Sequence, residues 1–137
     1  MFYSLACFVF TLFFLSGCGD NATISINEKN LPKEKIHCLK LLVFPPDEQL
    51  QKSFEELYTF TQECPYLLEV SAKSGITCNS NQNYQTKATG EFPSSYLRMQ
   101  VNKGRTILYG YYIDLLESPS KEDVKRAFSR LEEDLSL

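Results

Sequence analysis

The chain has 137 residues, with 17 acidic and 14 basic side chains that give a formal net charge of −3, and a single histidine. This length is enough for one domain with one hydrophobic core. The mildly acidic sequence contains no stripe of basic residues, which is the charge pattern that nucleic-acid-binding proteins show. The sequence therefore excludes nucleic-acid binding as the expected function. One histidine cannot supply a metal site that needs several, and we expect neither a metal nor a cofactor.

An uncharged apolar segment, residues 5–15, lies close to the N-terminus. A permanent membrane-spanning helix needs roughly 20 apolar residues, whereas the hydrophobic region of a cleaved secretory signal has about 7–15. The segment therefore predicts a signal peptide over residues 1–17. Residues 1–4 contain no Lys or Arg, so the terminal amine is the only positive charge there. The alternative interpretation is a buried apolar helix at the N-terminus.

A four-residue motif closes this segment: Leu15, Ser16, Gly17 and Cys18. An aliphatic residue, two small residues and a cysteine in this order resemble the lipobox of bacterial lipoproteins. The resemblance implies that Cys18 becomes the first residue of the mature protein and carries its lipid, including palmitate, with several acyl chains holding it at the membrane. Gly19 after the cysteine favours the periplasmic face of the outer membrane, while Asp20 one place later keeps the inner membrane as an alternative.

Residues 18–34 are polar and have no sustained period, which predicts a flexible tether before a folded domain over residues 35–137. Residues 35–44 predict the first strand, which is apolar on both faces over its second half and therefore typical of a strand inside a sheet. A helix follows from Asp47 to Cys64, since acidic residues suit its start and the residue before a proline disfavours helical angles. Its apolar positions recur at helical spacing: Leu50, Phe54, Leu57 and Tyr58.

Residues 66–72 predict a second strand, residues 73–84 a polar loop, and residues 85–92 a weak extra strand. Two alternating runs, 96–102 and 106–116, flank the turn at Lys103 and Gly104 and predict a hairpin. A second helix begins at Ser120, which forms a capping pattern with Asp123. Its apolar stripe is Val124, Phe128, Leu131 and Leu135. The order β-α-β-(β)-β-β-α predicts an α+β fold, a two-layer sandwich in which two amphipathic helices cover one face of a mainly antiparallel sheet of four to five strands.

Three of the five cysteines remain once the signal peptide and the lipidated residue are set aside: Cys38, Cys64 and Cys78. An oxidising compartment favours one disulfide and one buried thiol. We expect Cys64 to pair with Cys78, which would close a loop of about 14 residues and stabilise the fold by roughly 3 kcal/mol. Pairing of Cys38 with one of the other two is the main alternative.

No sequence motif indicates catalysis. His37 and Cys38 are adjacent, but neighbours on a strand point to opposite faces and form a poor catalytic pair. On the last strand, Tyr109 and Tyr111 are expected to face the core with Ile107 and Ile113. Leu108, Tyr112, Asp114 and Leu116 are expected on the opposite face, next to the gap in side chains at Gly110.

The predicted partner-binding residues lie on that opposite face of the hairpin: Tyr96, Arg98, Gln100, Tyr112 and Asp114. Exposed aromatic residues and arginine are favoured at protein interfaces. The alternative is that these side chains form a second small core beneath the tether or the 73–92 loop.

These observations favour a membrane-anchored periplasmic lipoprotein that binds protein as a non-catalytic accessory or assembly factor of the cell envelope. Lipopolysaccharide-assembly and secretion-pilotin lipoproteins are similar in scale, which is an analogy only. The alternative is an immunity lipoprotein that neutralises a toxin delivered to the periplasm. A small-ligand binder and an enzyme rank lower.

Overall fold

A computed structural model describes residues 21–76 and 92–137. They form an α+β fold, as predicted, with a five-stranded sheet and two α-helices. The strands are β1 (Thr23–Ile26), β2 (Lys40–Val43), β3 (Tyr66–Lys73), β4 (Ser95–Lys103) and β5 (Thr106–Leu115). The helices are α1 (Glu48–Glu55) and α2 (Lys121–Leu135), and a short 3₁₀ turn spans Glu28–Asn30.

The strand order across the sheet is β1-β5-β4-β3-β2. Three of the neighbouring pairs are antiparallel, and only β2 and β3 run parallel. The mainly antiparallel sheet is therefore confirmed. The parallel pair is joined through α1, because parallel neighbours need a crossover connection.

Both helices lie on one face of the sheet and share a single core with it. The apolar side chains of α1 and α2 pack with the alternate residues of the strands that point towards them. The fully buried members include Phe54, Leu68, Val70, Leu97, Met99, Val101, Tyr109 and Leu131. The other face of the sheet carries the polar and partly exposed half of each alternating run.

The hairpin and the second helix agree with their sequence patterns. Gly104 adopts φ +59° in the turn between β4 and β5, a conformation that glycine reaches without steric cost. At the start of α2, the Ser120 hydroxyl accepts from the Asp123 backbone N–H at 3.1 Å, and the Asp123 carboxylate accepts from the Ser120 N–H at 2.8 Å. This reciprocal capping box satisfies two backbone donors at the helix end.

The predicted tether is wrong for part of its length, because residues 23–26 form β1. Thr23 faces Tyr112 and Ile26 faces Tyr109 in an antiparallel ladder. The backbone N–H of Asn27 then donates to the Leu108 carbonyl at 2.9 Å. Pairing with the long β5 provides partners for a segment that is too short to form a strand alone.

The prediction that the first strand lies inside the sheet is also wrong. β2 is an edge strand of four residues, and its only neighbour among residues 21–76 and 92–137 is β3. Leu42 points to the open face and is exposed. The apolar residues on both sides of this strand therefore do not reflect burial from two sides.

Helix α1 ends at Glu55, nine residues before the predicted end at Cys64. Tyr58 and Phe60, beyond its end, pack their rings on Phe128 of α2 at centroid distances of 5.7 and 6.3 Å. The backbone N–H of Thr61 donates to the Leu39 carbonyl at 2.9 Å. Aromatic and β-branched residues have low helix propensity, and these tertiary contacts hold the segment in a non-helical conformation.

The disulfide joins Cys38 to Cys64, with 5.8 Å between the two Cα atoms. The predicted Cys64–Cys78 bond is therefore wrong, and the alternative that involved Cys38 is observed. The two cysteines lie on the segments that lead into the neighbouring strands β2 and β3, so strand pairing brings them together. Cys78 and most of the weak strand expected over residues 85–92 lie outside the described residues.

Candidate functional site

The outer face of the hairpin holds all five predicted partner-binding residues, which we call the Tyr–Arg face: Tyr96, Arg98, Gln100, Tyr112 and Asp114. Side chains alternate between the two faces along β4 and β5, which places these five on the face opposite the helices. The pairing of the two strands sets Tyr96 beside Asp114 and Arg98 beside Tyr112. Arg98, Tyr112 and Asp114 are exposed, and the other two are half-buried. In the part of the chain that the structure describes, no second core covers them.

Two tyrosines form the aromatic part of this face. The rings of Tyr96 and Tyr112 are stacked, with centroids 5.6 Å apart and an interplanar angle of 24°. The Tyr112 hydroxyl donates to a carboxylate oxygen of Asp114 at 2.9 Å. This hydrogen bond, together with partial burial and the charges nearby, raises the pKa of the Tyr112 phenol above its ordinary value. The phenol is therefore a neutral donor that is already oriented by Asp114.

A row of hydrogen-bonded polar side chains runs beside the tyrosines along β4. The Arg98 guanidinium donates to Gln100 Oε1 at 2.6 Å, and Gln100 Nε2 donates to Asn102 Oδ1 at 2.8 Å. Residues two apart on a strand share a face, which allows this chain of contacts. The row fixes the Gln100 amide and leaves the Arg98 head at the surface.

The face extends further than the sequence patterns of the hairpin indicated. On β3, Glu69 lies opposite Gln100, Ser71 opposite Arg98, and Lys73 opposite Tyr96. On β1, Thr23 lies opposite Tyr112. Alternation in residues 66–72 could have identified Glu69 and Ser71, whereas Thr23 needed β1.

The expected gap at Gly110 is occupied by a side chain of β1. A Cβ atom on Gly110 would lie 2.7 Å from Ser25 Oγ, so the absence of a side chain there lets β1 approach β5. Gly110 therefore serves strand pairing and does not open a ligand pocket beside Tyr112.

The predicted orientation of the side chains is wrong near the start of β5. Ile107, expected in the core, is 49 % exposed, while Leu108, expected on the solvent side, is buried. A bulge causes this change, because Val101 pairs with Tyr109 but Asn102 pairs with Ile107. Leu108 is the extra residue, and an extra residue shifts the alternation of side chains beyond it.

His37 and Cys38 do not form a catalytic pair. Cys38 is bonded to Cys64, so its thiol is not free, and His37 is exposed. Within residues 21–76 and 92–137, no group of three or more His, Cys, Asp or Glu side chains could hold a metal ion. No helix in these two ranges is both long and apolar enough to cross a membrane.

A cavity of about 660 Å³ lies elsewhere, between α1, the end of β3 and the start of α2. Its walls carry both signs of charge, including Lys52, Lys73 and Asp47. Lys121 and Glu56 form an ion pair across it at 3.0 Å, and both side chains are largely exposed. Two of the charged groups that line this cavity are therefore paired with each other.

Comparison with known proteins adds no functional assignment, since no family model, curated protein or solved structure matches the chain.

Proposed function

We propose that this chain is a lipid-anchored, non-catalytic lipoprotein of the bacterial envelope that binds another protein through the Tyr–Arg face. The observation that carries the proposal is the stack of half-buried Tyr96 on exposed Tyr112, beside the exposed Arg98. Tyrosine and arginine are, with tryptophan, enriched among the residues that contribute most to binding energy at protein interfaces. A face that combines both on a regular sheet is well suited to a flat protein partner.

The internal hydrogen bonds of the face support binding because they order its side chains in advance. Tyr112 is held by Asp114, and Arg98 is held by Gln100. Immobilising a free side chain at an interface costs about 0.5–1.5 kcal/mol, and a side chain that is already held loses less. This arrangement favours a partner that meets these residues in the geometry they already have.

The anchoring half of the proposal rests on the lipobox sequence that ends at Cys18. Lipid at this residue would place the domain at the periplasmic face of the outer membrane, as Gly19 favours. A bound partner would then be a component of the envelope that the protein helps to assemble. In the second candidate role, as an immunity lipoprotein, the partner would be a toxin that enters the same compartment.

The test is crosslinking in cells followed by capture of the full chain and identification of its partner by mass spectrometry. Arg98→Ala and Tyr112→Ala should each reduce capture severalfold. Lys125→Ala is the matched control, because it removes a cation from the exposed side of α2 and leaves the sheet unchanged. Palmitate labelling of the wild type and of Cys18→Ser reports on the anchor in the same cells.

The identity of the captured protein separates the two roles. A resident envelope component supports assembly, and an exported enzyme supports immunity. Capture that is equal in all variants would place the interface elsewhere on the domain. Recovery of no specific protein would reject protein binding as the function.

A further inference from the structure

The path of the chain into the sheet places residue 21, where the described chain begins, at a defined end of the sheet. β1 runs antiparallel to β5, with Thr23 opposite Tyr112 and Ile26 opposite Tyr109. The chain therefore enters β1 from the end of the sheet where β5 finishes at Leu115. The turn of the β4–β5 hairpin lies at the other end.

Three exposed apolar side chains lie at the end where the chain enters, and we call them the apolar rim: Ile76, Phe92 and Leu116. Their exposed fractions are 37, 47 and 50 %. Ser94 links the segments that carry them, since its N–H donates to the Leu115 carbonyl at 3.1 Å and its carbonyl accepts from the Ile76 N–H at 2.8 Å. Its hydroxyl donates to the Leu116 carbonyl at 2.7 Å. Large apolar groups that remain exposed together indicate a surface that contacts something apolar.

The length of chain before β1 sets how far Cys18 can lie from this rim. Thr23 lies five positions after Cys18, which allows a reach of at most about 18 Å between them. Leu116 lies four positions beyond Tyr112, or about 13 Å along the strand direction. Cys18 can therefore extend only about 5 Å past the level of Leu116 in that direction.

We propose that the acyl chains of Cys18 and the apolar rim enter the same phospholipid surface, so that the end of β5 rests on the membrane. This inference rests on the proposed lipidation of Cys18. A lipidated cysteine lies at the membrane interface, and the short connection brings the rim to the same depth. Apolar side chains at such a surface bury about 5–10 Å into the boundary between headgroups and acyl chains.

The charges around the rim favour a neutral phospholipid surface over an anionic one. Lys73 ends β3, while Asp114 and Glu117 lie on either side of the rim residue Leu116. Phe92 and Leu116 line one hollow together with these two carboxylates. Zwitterionic vesicles are therefore the appropriate probe, because an anionic surface would repel the carboxylates.

The chain has no tryptophan, so one introduced indole reports on one position. Leu116→Trp and Phe92→Trp place the probe on the rim. Ile107→Trp is the matched control, because Ile107 has almost the same exposure as Leu116. It lies near the start of β5, whereas Leu116 directly follows the end of that strand. Nine positions separate the two residues, which corresponds to about 30 Å. Circular dichroism of each variant checks that it folds as the wild type does.

The full chain, purified from membranes, is reconstituted in zwitterionic phosphatidylcholine vesicles whose acyl chains carry bromine, a contact quencher of indole fluorescence. Leu116→Trp and Phe92→Trp are expected to lose roughly half of their fluorescence or more, and Ile107→Trp very little. Mass spectrometry of the same samples determines whether Cys18 carries acyl groups.

The outcomes separate failure of the lipid anchor from failure of the proposed contact between the apolar rim and the membrane, which we call the seating. A chain without acyl groups on Cys18 rejects the lipoprotein proposal and the seating with it. An acylated chain with equal quenching at Leu116 and Ile107 lies along its β1 edge, which overturns the seating alone. An acylated chain with quenching at neither position is held clear of the membrane and also overturns the seating.

Discussion

Cys38 is bonded to Cys64, and the bond ties the segment that enters β2 to the segment that enters β3. The two residues are 26 positions apart, and α1 lies within the loop that they close. A crosslink of this span removes conformational freedom from the unfolded chain. It also holds the edge strand β2, which has a strand neighbour on one side only among the described residues.

The double variant Cys38→Ser/Cys64→Ser should lose about 3.5 kcal/mol of unfolding free energy, from the chain-entropy relation for a 26-residue loop. Denaturant titration under non-reducing conditions measures the change. Cys78→Ser serves as the control and should retain the disulfide. Peptide mapping without reduction should recover a Cys38–Cys64 peptide, and a peptide linked through Cys78 would contradict the structure.

Tyr109 connects the sheet to α2 through a partly buried hydrogen bond. Its hydroxyl donates to Asp134 at 3.1 Å, and Arg130 donates to the same carboxylate at 3.1 Å. Tyr109→Phe should cost about 1.5 kcal/mol at neutral pH, since Arg130 still pairs with Asp134 in the variant. Thermal or denaturant unfolding measures this loss, and an unchanged stability would show that the bond does not form in solution.

The same residue should make the protein sensitive to alkaline pH. Burial, followed by the negative charge of Asp134, raises the pKa of the Tyr109 phenol above its ordinary value near 10. The unfolded chain loses this proton near pH 10 while the folded protein keeps it. Stability from this group is therefore complete below pH 10 and falls as the pH rises above it, by up to about 1.4 kcal/mol per pH unit.

Tyr109→Phe should consequently lose stability less steeply than the wild type between about pH 9 and 11.5. Tyr58 and Tyr112 also have raised pKa values and are present in both proteins, so the difference in slope isolates Tyr109. Denaturant midpoints across this range give both curves. Parallel curves would mean that the phenol titrates alike in the folded and unfolded chains.

The elements that were predicted well depend on contacts close in sequence. The alternation of Leu97, Met99 and Val101 fixes which face of β4 is buried, and Gly104 permits the turn. The pair of Ser120 and Asp123 sets the start of α2 within one turn of helix. The same alternation placed the Tyr–Arg face on the exposed side, although it says nothing about which partner binds there.

The elements that were missed depend on contacts between distant parts of the chain. β1 has only four residues, and its alternation of Thr23, Ile24, Ser25 and Ile26 is a weak signal until β5 pairs with it. The choice of Cys38 as the partner of Cys64 follows from parallel pairing of β2 with β3, which no local pattern encodes. The bulge at Leu108, opposite Val101 and Asn102, changes the exposure of Ile107 without any glycine or proline to mark it.

The ordered β1 can be distinguished from a flexible tether by hydrogen exchange. The N–H of Asn27 donates to the Leu108 carbonyl at 2.9 Å, so it should exchange orders of magnitude more slowly than an unstructured amide. Ile24→Asp should abolish that protection, because Ile24 packs against the core. Thr23→Asp, at the neighbouring exposed position, should retain it. If the Asn27 amide of the wild type exchanged at the rate of an unstructured peptide, this segment would be a flexible tether and not a strand.

The Tyr–Arg face should be dispensable for folding, which is the condition that makes its variants useful in binding experiments. Arg98 is exposed and Tyr112 is 37 % exposed, with no helix above them among the described residues. Arg98→Ala and Tyr112→Ala should each change the unfolding free energy by less than about 1 kcal/mol, as is usual for surface substitutions. Phe128→Ala is the contrasting control. Phe128 is buried against Phe54, Tyr58 and Phe60, and its loss should cost about 3–5 kcal/mol. Unfolding of Tyr112→Ala to a similar degree would mean that this face is covered in the intact protein and is part of a core.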